Sequence, residues 1–386
     1  MRVLSVAWVI YDSRLEQFCK DCTGGGLVIK NLCEYIGEKV DSYLFIGRYE
    51  LPEMLLGNIH IINTMNCKQR MGEEKSHIEK MVMQFENALD VIKPDIVNVH
   101  GIGEFSKLCI LVCKKRGVPV VYTEHLFIGP SQIIEKYERV VEWEKELYKI
   151  PDLDIVAVST GMKKRILDEF KNISKDKIKV IRNGTNFIAD IVESDIKQKK
   201  HIASRKILLC VGTILKRKNQ EQLIRAYKLL KKSIRDNLCI IFCGNDAMNG
   251  RLQQQIIENS LSEDFFWEGG VSSEEIKKYY SIADALIMPS LAEGLSIAVL
   301  EAITYGIPVI MFRNSECAED LNDENVVCFA HNRSDQDLAD AIEQWYDKEW
   351  DKKYIKQYAK NFTMGRMCQE YIGYYNEVMK SKVIIK

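Results

Sequence analysis

The chain has 386 residues, 46% of them hydrophobic and 28% charged, with a formal net charge of −1. That length asks for two domains of about 150–200 residues rather than one core. The balanced charge gives no reason to expect a nucleic-acid partner, and no stretch reaches the roughly 18 uncharged residues that a membrane span needs.

Short β-rich runs alternate with helical periodicity from end to end, which is the pattern of parallel α/β sheets. In the first half, strands are expected at 3–9, 40–46, 96–99, 118–122 and 155–159, with helices at 27–36, 79–91 and 105–116. Lys93-Pro94 and Gly117-Val118-Pro119 carry the stop signals between them. The opening run lacks the basic segment of a secretory leader and reads as a buried strand. The twelve cysteines are accordingly read as reduced thiols of a cytoplasmic protein. Cys19 and Cys22 form a C-x-x-C with no second pair to complete a zinc site, and read as chance spacing. Thr23 and Gly24–Gly26 are placed in the loop after the first strand. The charged stretch 131–147 is expected to be a surface helix. Asp152 and Asp154 form an Asp-x-Asp that reads as a loop cap rather than a metal site.

A second α/β series is expected at 207–211, 238–243, 285–288 and 307–312. The lysine-rich bridge at 195–206 reads as a solvated linker, and 358–379 as an aromatic-rich helix. The plan is therefore a Rossmann-like domain at 1–190, a linker at 191–205, a second Rossmann-like domain at 206–355, and a helical segment at 356–386 packing back on the first. Two such halves facing each other imply a cleft at the carboxyl ends of both sheets.

The most informative segment runs from 287 to 310. A strand ends near Met288, a Pro289-Ser290 turn follows, and a helix is expected from 296 to 305, stopped by Gly306 and Pro308. Glu293 and Glu301 stand with seven residues between them, Gly294 allows close backbone approach, and Ser296 takes the N-cap position. The first N–H groups of such a helix suit a diphosphate. Glu301 falls inside an apolar run, where an acid is costly unless it has a partner. A second element joins the strand at 207–211 to Gly212, Thr213 and the cationic pair Arg217–Lys218, followed by a helix at 220–230. Lys or Arg at the carboxyl edge of a sheet can neutralise a diphosphate. Histidines stand at the ends of two strands in the first half: His125 is read as functional and His100 as structural.

The EGLSIAVLE run at 293–301, followed by A-x-x-x-G-x-P-V, resembles the signature of the retaining glycosyltransferases of family 4, and the resemblance extends along nearly the whole chain. It implies the GT-B fold, two Rossmann-like domains facing each other across a cleft. It also implies donor-site roles, residue by residue. Glu301 would hold the ribose hydroxyls, and Glu293 would lie by the donor sugar. The amides of Leu295 and Ser296 after Gly294 would bind the diphosphate, with Lys218 on a phosphate and Gly212 in the strand–Gly–x5–Lys motif. Gly270, in the 266–271 turn before a helix at 273–281, would sit at the nucleobase. Gly25 and Gly26 resemble the glycine-rich loop that approaches donor phosphate. His125 resembles the Thr-x-His element beside the transferring sugar, and Asn183-Gly184 the turn between the domains. Many members carry Arg directly after the glycine where this chain has Thr213, a departure for which Arg217 could compensate.

The activity so implied is transfer of a sugar, with retention, from a nucleoside-diphosphate sugar to a hydroxyl of a glycan or lipid-linked acceptor. UDP-sugars are favoured and GDP-sugars come next. No cofactor or metal is expected, and a peripheral contact with the inner face of a membrane is compatible with such acceptors. Two other readings share the architecture: a nucleotide-sugar epimerase, and an inactive partner subunit. A dehydrogenase is disfavoured because Gly24–Gly26 lacks the G-x-G-x-x-G spacing. The sequence does not specify the sugar, the base, the acceptor or the oligomeric state.

Overall fold

The computed structural model describes residues 1–383 except 11, 16–23, 65–75, 133 and 191. Cys19, Cys22 and Thr23 lie outside the described residues. The chain divides into two compact units, Met1–Gly184 together with Met364–Lys386, and Thr185–Thr363.

The first unit is built on strands β1 (Arg2–Ala7), β2 (Asp41–Ile46), β3 (Met54–Leu56), β4 (Ile59–Ile61), β5 (Ile96–His100), β6 (Val120–Glu124), β7 (Asp154–Ala157) and β8 (Ile178–Val180). They form one sheet in the order β3-β4-β2-β1-β5-β6-β7-β8. All neighbours are parallel except the β3–β4 hairpin. Helices α1 (Gly24–Ile36), α2 (His77–Ile92), α3 (Glu104–Arg116), α4 (Glu138–Leu147) and α5 (Thr160–Glu169) belong to it. Local chemistry sets the helix ends: Ser76 and Glu79 make a reciprocal capping box at the start of α2. Gly117, in the left-handed region, closes α3.

The second unit carries α6 (Ile196–Lys199), β9 (Lys206–Val211), α7 (Glu221–Leu229), α8 (Lys232–Arg235), β10 (Leu238–Cys243), α9 (Arg251–Glu258) and β11 (Phe265–Trp267). It continues with α10 (Ile276–Ile282), β12 (Ala285–Met288), α11 (Ile297–Thr304), β13 (Val309–Phe312), β14 (Val327–Ala330), α12 (Asp335–Asp347) and α13 (Lys352–Ala359). Its sheet is parallel throughout, in the order β11-β10-β9-β12-β13-β14. Along β9, Ile207 and Leu209 face one core while Leu208 and Cys210 face the other. A strand covered on both faces is apolar without alternation, as parallel sheets require. Each fully buried leucine there contributes about 1.5–3 kcal/mol of transfer free energy. The chain then returns to the first unit as α14 (Met364–Val383).

Several expectations need correction. Gly24–Gly26 are the first turn of α1 rather than a loop, because the apolar stripe through Val28, Ile29, Leu32 and Ile36 carries the helix back to them. The stretch 131–147 is helical from Glu138 onward, after Lys136 adopts φ 71°. It is not a plain surface helix, since Glu144 and Leu147 are buried. The 195–206 bridge is structured within the second unit: it contains α6, Lys200 pairs with Glu268, and Arg205 pairs with Asp264. The 358–379 helix is broken by a short 3-10 turn at Lys360–Phe362. The β3–β4 hairpin, β8, β11 and β14 had not been anticipated. Asp152 and Asp154 both face Lys177.

Candidate active site

In the second sheet the chain reverses direction of travel between β9 and β12, which are neighbours although far apart in sequence. Ligands of open α/β sheets bind beyond the strand ends at such a switch point. Both motifs singled out in the sequence emerge there. After β9, Gly212 has φ 135°, and a Cβ on it would stand 3.3 Å from Cε of Lys218. The glycine thus gives the turn its conformation and leaves the lysine its path. Arg217 and Lys218 form a 3-10 turn ended by Asn219 in the left-handed region. Asn219 donates to Pro289 O (3.2 Å), and Leu291 N–H donates to Arg217 O (2.8 Å), so the basic turn is fastened to the loop after β12.

The consequence is a compact charge cluster. Lys218 Nζ and Arg217 share Oε1 of Glu293, the arginine at 2.9 Å, and Arg217 also donates to Ala292 O at 2.6 Å. Ser290 Oγ donates to the same oxygen at 3.2 Å. Burial by itself pushes the Glu293 carboxyl up, but the adjacent Lys218 and Arg217 outweigh it and hold it down at about 2. Glu316, buried in the segment after β13, accepts the Glu293 backbone N–H at 3.2 Å. Two cations and two acids therefore meet at one turn.

Other predicted donor residues stand around this cluster. Thr213 O accepts from Gln220 Nε2 at 3.0 Å. Gly294 and Leu295 are buried. Ser296 is the N-cap of α11, but its hydroxyl makes no capping bond. Glu301, on α11, does not join the Lys218 cluster. Tyr280 of α10 donates to its Oε2 at 2.9 Å. Burial raises the Glu301 carboxyl to about 7, with the tyrosine bond pulling it down. Gly270 follows β11, where a Cβ would collide with the carboxamide of Asn245. Trp267 stands half-exposed beside it and donates to Gly244 O at 2.9 Å.

The first sheet has its own switch point, between β1 and β5. His100 ends β5, and His125 directly follows β6. The two rings stack with centroids 5.3 Å apart, and His100 Nδ1 lies 3.1 Å from His125 Nε2. Burial drives both rings below their ordinary range, His125 to about 4. Both are neutral at pH 7, and one proton lies between them. The outer nitrogens, His100 Nε2 and His125 Nδ1, are buried and find no partner among the described residues. Either placement of the shared proton leaves one of them a donor and the other an acceptor. Beneath, Glu124 accepts from Tyr122 (2.7 Å) and Tyr148 (2.9 Å), and burial with the charge of Glu144 raises it to about 8. Glu144 accepts the N–H groups of Ile128 and Gly129, both at 2.8 Å, which fixes the loop after His125. Gly25 and Gly26 lie in the opening turn of α1, with open space where a Cβ of Gly25 would go.

Sequence reasoning missed Glu316 and Tyr280. An acid in an irregular loop gives no pattern, whereas Tyr279-Tyr280 in an expected helix was visible without its partner.

Known proteins resemble this chain in both halves. The profile described as Glycosyl transferases group 1 matches residues 192–362, and that described as Glycosyltransferase Family 4 matches 23–187. An uncharacterized glycosyltransferase of Methanocaldococcus jannaschii is 26% identical over 81% of this chain and 80% of its own. The O-antigen chain mannosyltransferase RfbU of Salmonella typhimurium is 34% identical over 41% of each. Among solved structures, the sucrose-phosphate synthase of Thermosynechococcus elongatus superposes with a TM-score of 0.76 at 16% identity, covering 99% of this chain and 100% of that one. Anabaena HepE in complex with UDP and glucose gives 0.71 at 13% identity, covering 98% and 100%.

Proposed function

This chain belongs to the family 4, group 1 glycosyltransferases of GT-B fold, and on that premise we propose that it is a retaining hexosyltransferase working without a metal. The observation that carries the reading is the Lys218–Arg217–Glu293 cluster at the β9/β12 switch point. Most of the barrier to glycosyl transfer lies in expelling the diphosphate, and preorganised cations stabilise that charge as it develops. Lys218 and Arg217 turn from Glu293 to the diphosphate, together with the N–H groups opening α11. Glu293, released, faces the hydroxyls of the donor sugar, and Glu301 takes the ribose diol. The acceptor oxygen bonds to the anomeric carbon as its bond to the diphosphate breaks on the same face. The acceptor proton passes to the departing phosphate oxygen, so no side chain has to serve as base.

The donor expected from sequence was a UDP-sugar. Relatives shift the first choice to GDP-mannose: RfbU is named a mannosyltransferase, and a 27% identical relative in Mycolicibacterium smegmatis, matched over 33% of this chain, is named GDP-mannose-dependent. UDP-sugars come second. The acceptor is proposed to be a glycan or lipid-linked hydroxyl, with a peripheral membrane contact. No helix among the described residues is long and apolar enough to cross a bilayer.

The test is calorimetric titration with GDP, UDP and ADP in chelator, followed by turnover with the matching sugar donors. Lys218→Ala is expected to lose about 100–1,000-fold in turnover. Near wild-type turnover in that variant removes Lys218 from the mechanism. A product of inverted anomeric configuration by NMR overturns retention, and activity that disappears with chelator overturns metal independence.

A further inference from the structure

We infer that Tyr280 is a positioning residue of the nucleotide site, holding the Glu301 carboxylate so that one oxygen is engaged and the other is presented to the ribose diol. The inference rests on the ribose role proposed for Glu301. The Tyr280 hydroxyl lies 2.9 Å from Glu301 Oε2 and 3.3 Å from Ala298 O. It has one hydrogen to give, and the shorter, charge-assisted bond to the carboxylate takes it. Glu301 Oε1 accepts no hydrogen bond among the described residues, and the residue is half-buried rather than sealed. The tyrosine cannot swing away: it is 1% exposed, its ring stacks on Tyr305 at 5.5 Å and 23°, and Phe187 packs edge-on at 5.8 Å. Two helices that separately pack on the sheet are thus joined through the Tyr280 hydroxyl.

The chemistry explains why such a contact is needed. A ribose diol offers two O–H donors and is best met by an ionised carboxylate. Glu301 is half-buried, and no cation among the described residues pairs with its carboxylate. The titratable groups around it are Tyr280 on α10, Tyr305 closing its own helix and, behind Tyr280, Cys243 at the end of β10. Lys277 on α10 is committed to Asp190 and Glu274, and Lys356 of α13 lies out beside Gly306. Burial therefore raises this acid to about 7, and Tyr280 is what opposes the rise. A carboxyl that far up is partly protonated at neutral pH, so the affinity for nucleotide should weaken as pH falls through about 7.

The experiment is calorimetric titration of the full chain with GDP and UDP between pH 5.5 and 8.5, in wild type, Tyr280→Phe and Glu301→Gln. Tyr280→Phe keeps the ring stack. It is expected to bind the nucleotide about 10-fold more weakly at pH 7, with the pH of half-lost affinity moved upward. Glu301→Gln should bind weakly at every pH. A Tyr280→Phe profile that overlays wild type, while Glu301→Gln is weakened, overturns the positioning role and leaves the ribose assignment standing. Unchanged affinity in Glu301→Gln removes both. Should Tyr280→Phe melt early, Tyr280→3-fluorotyrosine replaces it. A stronger phenol donor must extend tight binding to lower pH, and an unmoved profile overturns the inference.

Discussion

Glu124 and Glu293 are both buried acids close to the carboxyl end of a parallel strand, one in each unit, yet they sit at opposite ends of the carboxyl range. Burial pushes both upward. Glu124 meets two phenols and the like charge of Glu144, and rises to about 8. Glu293 meets Lys218 and Arg217 and stays near about 2. Location in the fold therefore does not decide ionisation; the groups within reach decide it. Glu301 makes the same point inside one unit. It stands eight positions from Glu293 but faces a phenol in place of cations, and lies near about 7.

The comparison can be broken from the Glu293 side first, where the effect should be largest. Lys218→Met leaves a buried carboxylate with Arg217 as its remaining cation. Breaking a buried pair costs roughly 3–5 kcal/mol, and the retained arginine should keep the loss at the lower end. Glu293 is depressed when folded, so its stabilisation is present above its ordinary value near 4.5 and is lost as pH falls toward about 2. In Lys218→Met that acid-side loss should be smaller and finish at higher pH, measured by denaturant titration at several pH values. An acid-side loss as large as that of wild type would mean that Arg217 sets the Glu293 ionisation.

The opposite sign is expected of Glu124. Its folded value is raised, so its stabilisation is full below its ordinary value and is lost as pH rises through about 8. Glu124→Gln, fixed neutral, should lose roughly 2–3 kcal/mol less than wild type between pH 6 and 9. Parallel stability curves for the two proteins would show that Glu124 ionises without cost. The smallest effect is expected at the histidine pair. His100→Gln should lower turnover about 10-fold and move the pH profile of turnover, with little change in melting temperature. A scaled but unshifted profile would return His100 to a purely structural role.

Much of this site was legible because its parts lie on regular elements. The strands ending at Val211 and Met288 are apolar runs of the right length, and the residues after them carry the charge. Lys218, Glu293 and Glu301 could therefore be named from spacing. Tyr280 and Glu316 could not, since their roles exist through contacts between elements that no local pattern records. The pairing of His100 was hidden for the same reason: its partner follows the adjacent strand, twenty-five residues on. The glycines at 24–26 misled in the other direction. A glycine run reads locally as a loop, but the buried stripe of the helix behind it decides otherwise. The β3–β4 hairpin, three residues per strand, is too short to show alternation.

The chain leaves the first unit after Gly184 and re-enters it at Met364, and at this junction Thr185 N–H donates to Phe362 O at 2.9 Å. The second unit is thus an insertion threaded through the first, and synthesis order follows from it. When the ribosome has made β1 to β8, the sheet still lacks α14. Asn98 has no Tyr375 hydroxyl to donate to (2.7 Å in the finished protein), and α1 has no helix to pack on. The nascent first unit must wait, with that face bare, while about 180 further residues are translated, roughly 10–40 s at ordinary elongation rates. The domain that begins first is completed last.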